Sequence, residues 1–220
     1  MTGARVDRIQ ELAALSALVV ERWLDDRSHY RHHGIGVFQG YVLESVPPEP
    51  EYRLHVWHPE LRLADMTDSG LIHDHRFDLE STVLAGLVVH TVYPLEEAQA
   101  GTYQVWSVQN ARAAAENNRV GWVTLEGPTR YNSPVPHTQK IGPGQSYRFP
   151  KRRFHRTDVD RLTITLCRKE RQETTAARIL SRYGREPRHG FDHEQVETPR
   201  HREILAAARA RLQAIARGLG

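Results

Sequence analysis

Apolar residues change their spacing twice along the chain. Over residues 4–25, Val6, Ile9, Leu12, Leu15, Leu18, Val19 and Trp23 recur at helical intervals, with Arg5, Arg8, Glu11 and Glu21 among them, which predicts an amphipathic helix. Past Gly34 and Gly36 the runs become short. Those at 37–44, 52–57, 79–92, 103–108, 120–125, 146–149 and 162–166 read as strands, parted by turn clusters such as Pro47-Pro48-Glu49-Pro50, Asp68-Ser69-Gly70 and Gly142-Pro143-Gly144. Residues 111–118 break the pattern and are expected to be a short helical insertion. From about Glu170 the helical spacing returns. Thr198-Pro199 offers an N-cap with proline at the first helical position, and Ile204, Leu205, Ala208, Leu212 and Ile215 form the apolar stripe behind it.

Many short strands without helices between them predict an all-β core, a sandwich or jelly-roll barrel, with flanking N- and C-terminal α-helices. The expected division is an N-terminal helical segment at 1–34, a barrel at 35–168 and a C-terminal helical extension at 169–220. A hydrophobic content of 39% over 220 residues is enough to fill one such core.

Charge and cysteine usage narrow the setting. The formal charge is only +3, which argues against nucleic-acid binding. Residues 168–220 hold 12 Lys/Arg against 7 Asp/Glu, a local net of +5, read as a solvated helix face rather than an interaction surface. The lone Cys167 excludes an internal disulfide framework and fits a reducing, cytoplasmic location. No run approaches the roughly 18 apolar residues of a membrane span, and the N-terminus lacks the basic-then-apolar layout of a signal peptide.

Two stretches carry candidate chemistry. In an extended chain residues i and i+2 point the same way, so His73 and His75 of His73-Asp74-His75 can grip one ion together. A third imidazole, His155, follows Gly144 and Pro150, residues that punctuate strands. Three histidines on a β-scaffold make a candidate transition-metal site.

Together these stretches resemble the two sequence motifs of the cupin superfamily. His73 and His75 stand at the first motif's His-x-His, and Gly86 closes it after Val83-Leu84-Ala85. Gly144, Pro150 and His155 fall on the spacings of the second motif, while Arg152 replaces its inner glycine and Val159 its final asparagine. The resemblance covers roughly residues 35–168, with about 57 residues between Gly86 and Gly144, longer than is common. It implies a cupin jelly-roll β-barrel that holds a divalent metal through His73, His75 and His155. The family's acidic ligand falls on an ambiguous position. Counting on from His75 gives Glu80, whereas counting back from Gly86 gives Leu79. The Val-Leu-x-Gly ending anchors the register, which favours Leu79 inward and Glu80 outward; a bulge reverses this and makes Glu80 a fourth ligand.

Three neutral imidazoles leave a divalent ion its full charge and open positions, which suits an anionic substrate and O2. Within cupins, the thiol dioxygenases (cysteine dioxygenase and relatives) are similar: they carry a three-His iron site and a familiar His-Asp-His stretch. The strand Tyr52-Arg53-Leu54-His55-Val56-Trp57 and the pair His155-Arg156 also look similar in placement. Cys167 does not fall where that family's crosslinked cysteine would sit. The implied function is a mononuclear non-haem Fe(II) dioxygenase acting on a small anionic metabolite. The alternatives are a Zn, Ni or Mn cupin with isomerase, lyase or bond-forming chemistry in small-molecule biosynthesis, and a non-enzymatic ligand-binding cupin.

For substrate binding, Arg53, Tyr147 and Arg148 are candidates, because an arginine fork matches a carboxylate. Tyr147 and Arg148 face opposite sides of a regular strand, so at most one points inward. His90, four residues past Gly86, shares its face and is a further pocket candidate. His29, His32, His33, His58, His137, His189, His193 and His201 are expected to be solvent-exposed, with His137 the best placed to rim a pocket. Cys167 reads as a packed thiol. The apolar stripes of the terminal helices make a homodimer a further expectation.

Overall fold

The computed structural model describes residues 3–43, 49–63, 71–110, 121–170, 172–187 and 197–219. The expected insertion at 111–118, together with His189 and His193, lies outside the described residues. The chain opens with helix α1 (Gly3–Asp25), as its apolar spacing predicts. A single 3-10 turn at Arg27–His29 follows, capped by Asp26, whose carboxylate accepts from the Ser28 amide at 2.8 Å.

Fourteen strands come next. They are β1 (Arg31–His33), β2 (Ile35–Leu43), β3 (Glu51–Arg62), β4 (Asp78–Ala85), β5 (Val88–Tyr93), β6 (Glu96–Glu97) and β7 (Tyr103–Asn110). After these run β8 (Gly121–Leu125), β9 (Tyr131–Asn132), β10 (His137–Ile141), β11 (Ser146–Phe149), β12 (Phe154–Asp158), β13 (Thr163–Glu170) and β14 (Ala177–Arg182). Helix α2 (Pro199–Ala216) ends the described fold. One sheet runs β1-β2-β3-β13-β4-β11. The opposing wall comes in two pieces, β10-β5-β12 and β14-β7-β9-β6, with β8 paired to β7. His73 bridges to His155 in β12 and to Ile179 in β14, so the main chain at His73 joins the two pieces. The result is the all-β jelly-roll barrel with flanking helices that the strand pattern predicts.

Three differences from the sequence expectations follow from turns and edges. The run 79–92 is two strands, because Gly86 at φ 81° turns the chain from one sheet into the other. A Cβ there would lie 2.4 Å from Thr163 Oγ1 and 2.6 Å from the Leu162 carbonyl, so the turn requires glycine. The stretch expected to be helical from Glu170 supplies β14, which pairs with β7 inside the barrel wall. Finally, β10 is exposed at four of its five positions, an edge strand without the apolar alternation that would announce it.

The middle of the first sheet, around β3 and β13, is buried on both sides. In β13, Ile164 and Leu166 face the helices while Thr163, Thr165, Cys167 and Lys169 alternate into the barrel, which explains its near-continuous burial. Outside, Ala13, Ala17, Val20 and Trp23 of α1 and Ile204, Leu205, Ala208, Leu212 and Ile215 of α2 close over Phe38, Leu54, Val56 and Leu84. Helix α2 begins as predicted: Thr198 Oγ1 accepts from the His201 amide at 3.2 Å, and His201 Nδ1 accepts from the Thr198 amide at 3.4 Å. His201 and His32, expected in solvent, instead pack edge-on against Phe38, with His32 Nε2 2.6 Å from the Leu61 carbonyl. Among the described residues no helix is long and apolar enough to cross a membrane.

Candidate metal centre

His73 and His155 come from segments far apart in the chain, yet their main chains exchange hydrogen bonds in both directions. His73 N donates to His155 O at 3.0 Å and His155 N donates to His73 O at 2.9 Å. This pairing, with the alternation that turns His73 and His75 to one side, gathers three imidazoles on the inside of the barrel. Their ring centroids are 4.6 Å (His73–His155), 4.8 Å (His75–His155) and 5.0 Å (His73–His75) apart. One nitrogen from each lies within 4.8 Å of the others. His73 Nδ1 donates to the Leu71 carbonyl at 3.1 Å, which fixes the tautomer and leaves Nε2 with its lone pair free.

The donor set fits a divalent transition metal. Burial holds all three imidazoles below the ordinary histidine range, His75 and His155 well below it, with neighbouring rings adding to the effect. Neutral imidazole is the ligand form.

Alternation turns Asp74, between the two ligands, the other way. Its carboxylate is fully buried and accepts from the Arg178 amide and from Arg178 Nε, both at 2.7 Å, with Arg152 Nη1 3.8 Å away. Burial raises the Asp74 pKa and the Arg178 guanidinium opposes that rise. The amide of Asp74 donates back to Arg178 O at 2.9 Å, and Arg152 N donates to His75 O at 2.8 Å. The ligand-bearing strand is therefore clamped from behind by β14 and by the turn that precedes His155.

The remaining predicted site residues separate by face. Leu79 points inward and packs with Phe149 and Cys167. Glu80 lies on the outer face, paired with Arg148 at 3.3 Å and Arg168 at 3.8 Å, so neither Glu80 nor Arg148 is brought to the three histidines. The reason is register: Leu79 pairs with Phe149 and Glu80 with Arg148 across regular β4–β11 pairing. Tyr147 does point inward, packed against Val83, Val88 and Ile141 with its ring 4.7 Å from His90. His90 is buried beside His155, with ring centroids 5.1 Å apart. Arg53 faces the interior and stacks over Tyr41 at 4.5 Å, with Nη2 donating to the Tyr41 hydroxyl at 2.6 Å. His137 is an exposed strand residue on β10.

Sequence reasoning missed Lys169 and His55. Lys169 Nζ sits 4.1 Å from the Phe77 ring, which itself stacks on His75 at 4.7 Å. Glu51 bridges the cations, 2.5 Å from Lys169 Nζ and 2.7 Å from Arg53 Nε. Burial draws the Lys169 pKa down to about 8, with Arg53 acting in the same direction and Glu51 against. His55, one register step along, places Nδ1 3.3 Å from Cys167 Sγ, and burial takes its pKa down to about 3. Both residues follow from alternation, with Arg53-x-His55 on β3 and Cys167-x-Lys169 on β13, once the two strands are known to pair. Arg53 and Tyr41 also wall a cavity of about 310 Å³ that reaches Trp23 and Tyr30 beneath α1.

No protein-family model matches the chain, and no curated protein matches it. Solved structures with a similar course include the DMSP lyase DddQ from Ruegeria pomeroyi DSS-3, at 11% identity over 64% of this chain and 50% of that one, TM-score 0.35. A cupin-2 domain, Rru_A2000 from Rhodospirillum rubrum, aligns at 13% identity over 88% and 84%, TM-score 0.28. KdgF from Halomonas sp. aligns at 14% over 66% and 91%, TM-score 0.30. The chain spans about half the length of the lyase it matches. The barrel and the three imidazoles it brings together make this chain a jelly-roll fold with a candidate three-histidine metal centre.

Proposed function

We propose that the chain is a metal-dependent enzyme acting on a small anionic metabolite, with Fe(II) as its metal and O2 as co-substrate. The observation that carries this reading is the convergence of three neutral imidazoles with no carboxylate among the described residues joining them. Fe(II) held by His73, His75 and His155 would supply a Lewis acid and a one-electron centre for O2 chemistry. The rest falls to the chain's own side chains. Arg53 and Lys169 present two cations to an incoming anion, and Glu51 holds them in place until a substrate carboxylate competes for them. Phe77 and Leu79 keep the wall beside His75 apolar. The same three-nitrogen set also suits zinc, so Zn, Ni or Mn with isomerase, lyase or bond-forming chemistry is the second reading.

Elemental analysis of protein purified without a metal-binding tag tests the proposal together with O2 uptake. Iron bound at one equivalent, lost in His73→Ala along with O2 consumption, is the expected result. Turnover that survives complete metal removal would sink both readings. Tightly bound zinc with turnover indifferent to O2 replaces the first by the second.

A further inference from the structure

His90 sits in the middle of β5 at 1% exposure, and neither of its ring nitrogens has a hydrogen-bond partner. An imidazole shut away from water in this state costs about as much as a lost hydrogen bond, unless something outside the protein meets it. The surrounding side chains do not. Phe149 packs edge-on at 5.0 Å, and Tyr147, with its ring 4.7 Å away, makes no hydrogen bond to either nitrogen. The third neighbour is His155 at 5.1 Å, one of the three candidate ligands, so the ring stands beside the candidate metal centre.

We propose that His90 is a binding residue for the small ligand taken up beside the three histidines: one ring nitrogen donates a hydrogen bond to an anionic or oxygen atom of that ligand. This rests on the metal-centre reading. It does not make His90 a fourth metal ligand, because the donor atoms that converge within 4.8 Å belong to His73, His75 and His155. Neutral imidazole carries one donor and one acceptor, so the same ring can also accept from a hydroxyl of a substrate that offers one. The preferred ligand class is therefore an oxyanion or hydroxy acid small enough to reach past Phe149.

The test uses the full chain loaded with Co(II), and follows azide binding by visible absorption alongside cobalt content. His90→Phe keeps an aromatic ring against Tyr147 and Phe149 while removing both nitrogens. Its cobalt content should match the parent, while its azide affinity should fall about tenfold, the scale of one hydrogen bond to a charged partner. His90→Asn carries an amide near the Nδ1 position and His90→Gln near Nε2; one of the two should recover most of the affinity and so identify the donor. Cobalt lost from His90→Phe would make His90 a ligand and overturn the proposal. So would unchanged azide affinity, or a loss that neither amide restores, which signifies packing alone. A parent protein that takes up no cobalt overturns the metal-centre reading itself, and that result appears before any azide is added.

Discussion

Arg152 shows how one side chain compensates for its own backbone. It is the only non-glycine residue at positive φ among those described, at 65°, and it stands where the second motif carries glycine. A left-handed conformation costs a residue with a Cβ roughly 1–2 kcal/mol. In return Arg152 Nε donates to Glu173 at 3.0 Å and Nη1 donates to the Ala176 carbonyl at 2.6 Å, tying the turn before His155 to the strand behind Asp74. Arg152→Ala keeps the strain and loses the bonds, so it should lower unfolding stability by about 1–3 kcal/mol. Arg152→Gly relieves the strain and should lose about 1 kcal/mol less. Urea unfolding of the two variants measures the difference, and equal losses would refute the account. At this scale the motif spacings made the three histidines and the departure at Arg152 legible. Lys169 and His55 were not, because their place near the metal centre depends on β3 pairing with β13, which spacing within one segment does not reveal.

Among the elements, the β4–β5 turn is the most constrained. Gly86 combines positive φ with close approach of Thr163 and Leu162, whereas Gly184, also at positive φ, has nothing within 4 Å of a built Cβ. Gly184→Ala should therefore cost about 1 kcal/mol, and Gly86→Ala several times that, since β13 would have to move. Comparing the two melting temperatures isolates the steric part, and similar shifts would place the constraint in φ alone. The same turn shows why 79–92 reads as one strand: across it residues 83–89 run apolar without a polar break, and only the glycine marks the crossing. For β14, the arginines of Ala177–Arg182 mask a pattern in which Ile179 and Leu180 are buried, so the local composition resembles the helix that follows. Helix α2 was legible because its apolar stripe is the face it buries, whereas α1 was legible as a helix but not in its facing: Ala13, Ala17, Val20 and Trp23 enter the core while Val6, Leu15 and Leu18 of the expected stripe are exposed.

Over the whole molecule, the barrel encloses five histidines, His55, His73, His75, His90 and His155, whose pKa values burial pushes down, His90 to about 4 and His55 to about 3. Above about pH 8, well past the unfolded histidine value of about 6.5, these groups are neutral both folded and unfolded, so they contribute no pH dependence there. Below it the unfolded chain binds protons that the folded barrel refuses, and each such group removes up to about 1.4 kcal/mol per pH unit until its folded pKa is reached. Metal-free protein should accordingly hold a constant urea midpoint above about pH 8 and lose stability with growing steepness from about pH 7 towards 4. His90→Phe should soften that slope; a profile as steep as the parent's would exclude His90 as a contributor.

The reciprocal main-chain bonds between His73 and His155 also bear on when a metal can enter. A chain in which β12 has not yet docked offers only the His73 and His75 pair, two nitrogens on one extended segment. The third arrives when the two halves of the second wall are joined, so coordination belongs to the late side of the folding barrier. Saturating metal should then slow unfolding and leave the refolding rate unchanged, as stopped-flow urea jumps would show; faster refolding with metal would put the site in the nucleus. On this order of events the polypeptide is not moulded around its ion. It would meet a metal as a finished vessel, with the three histidines already in place.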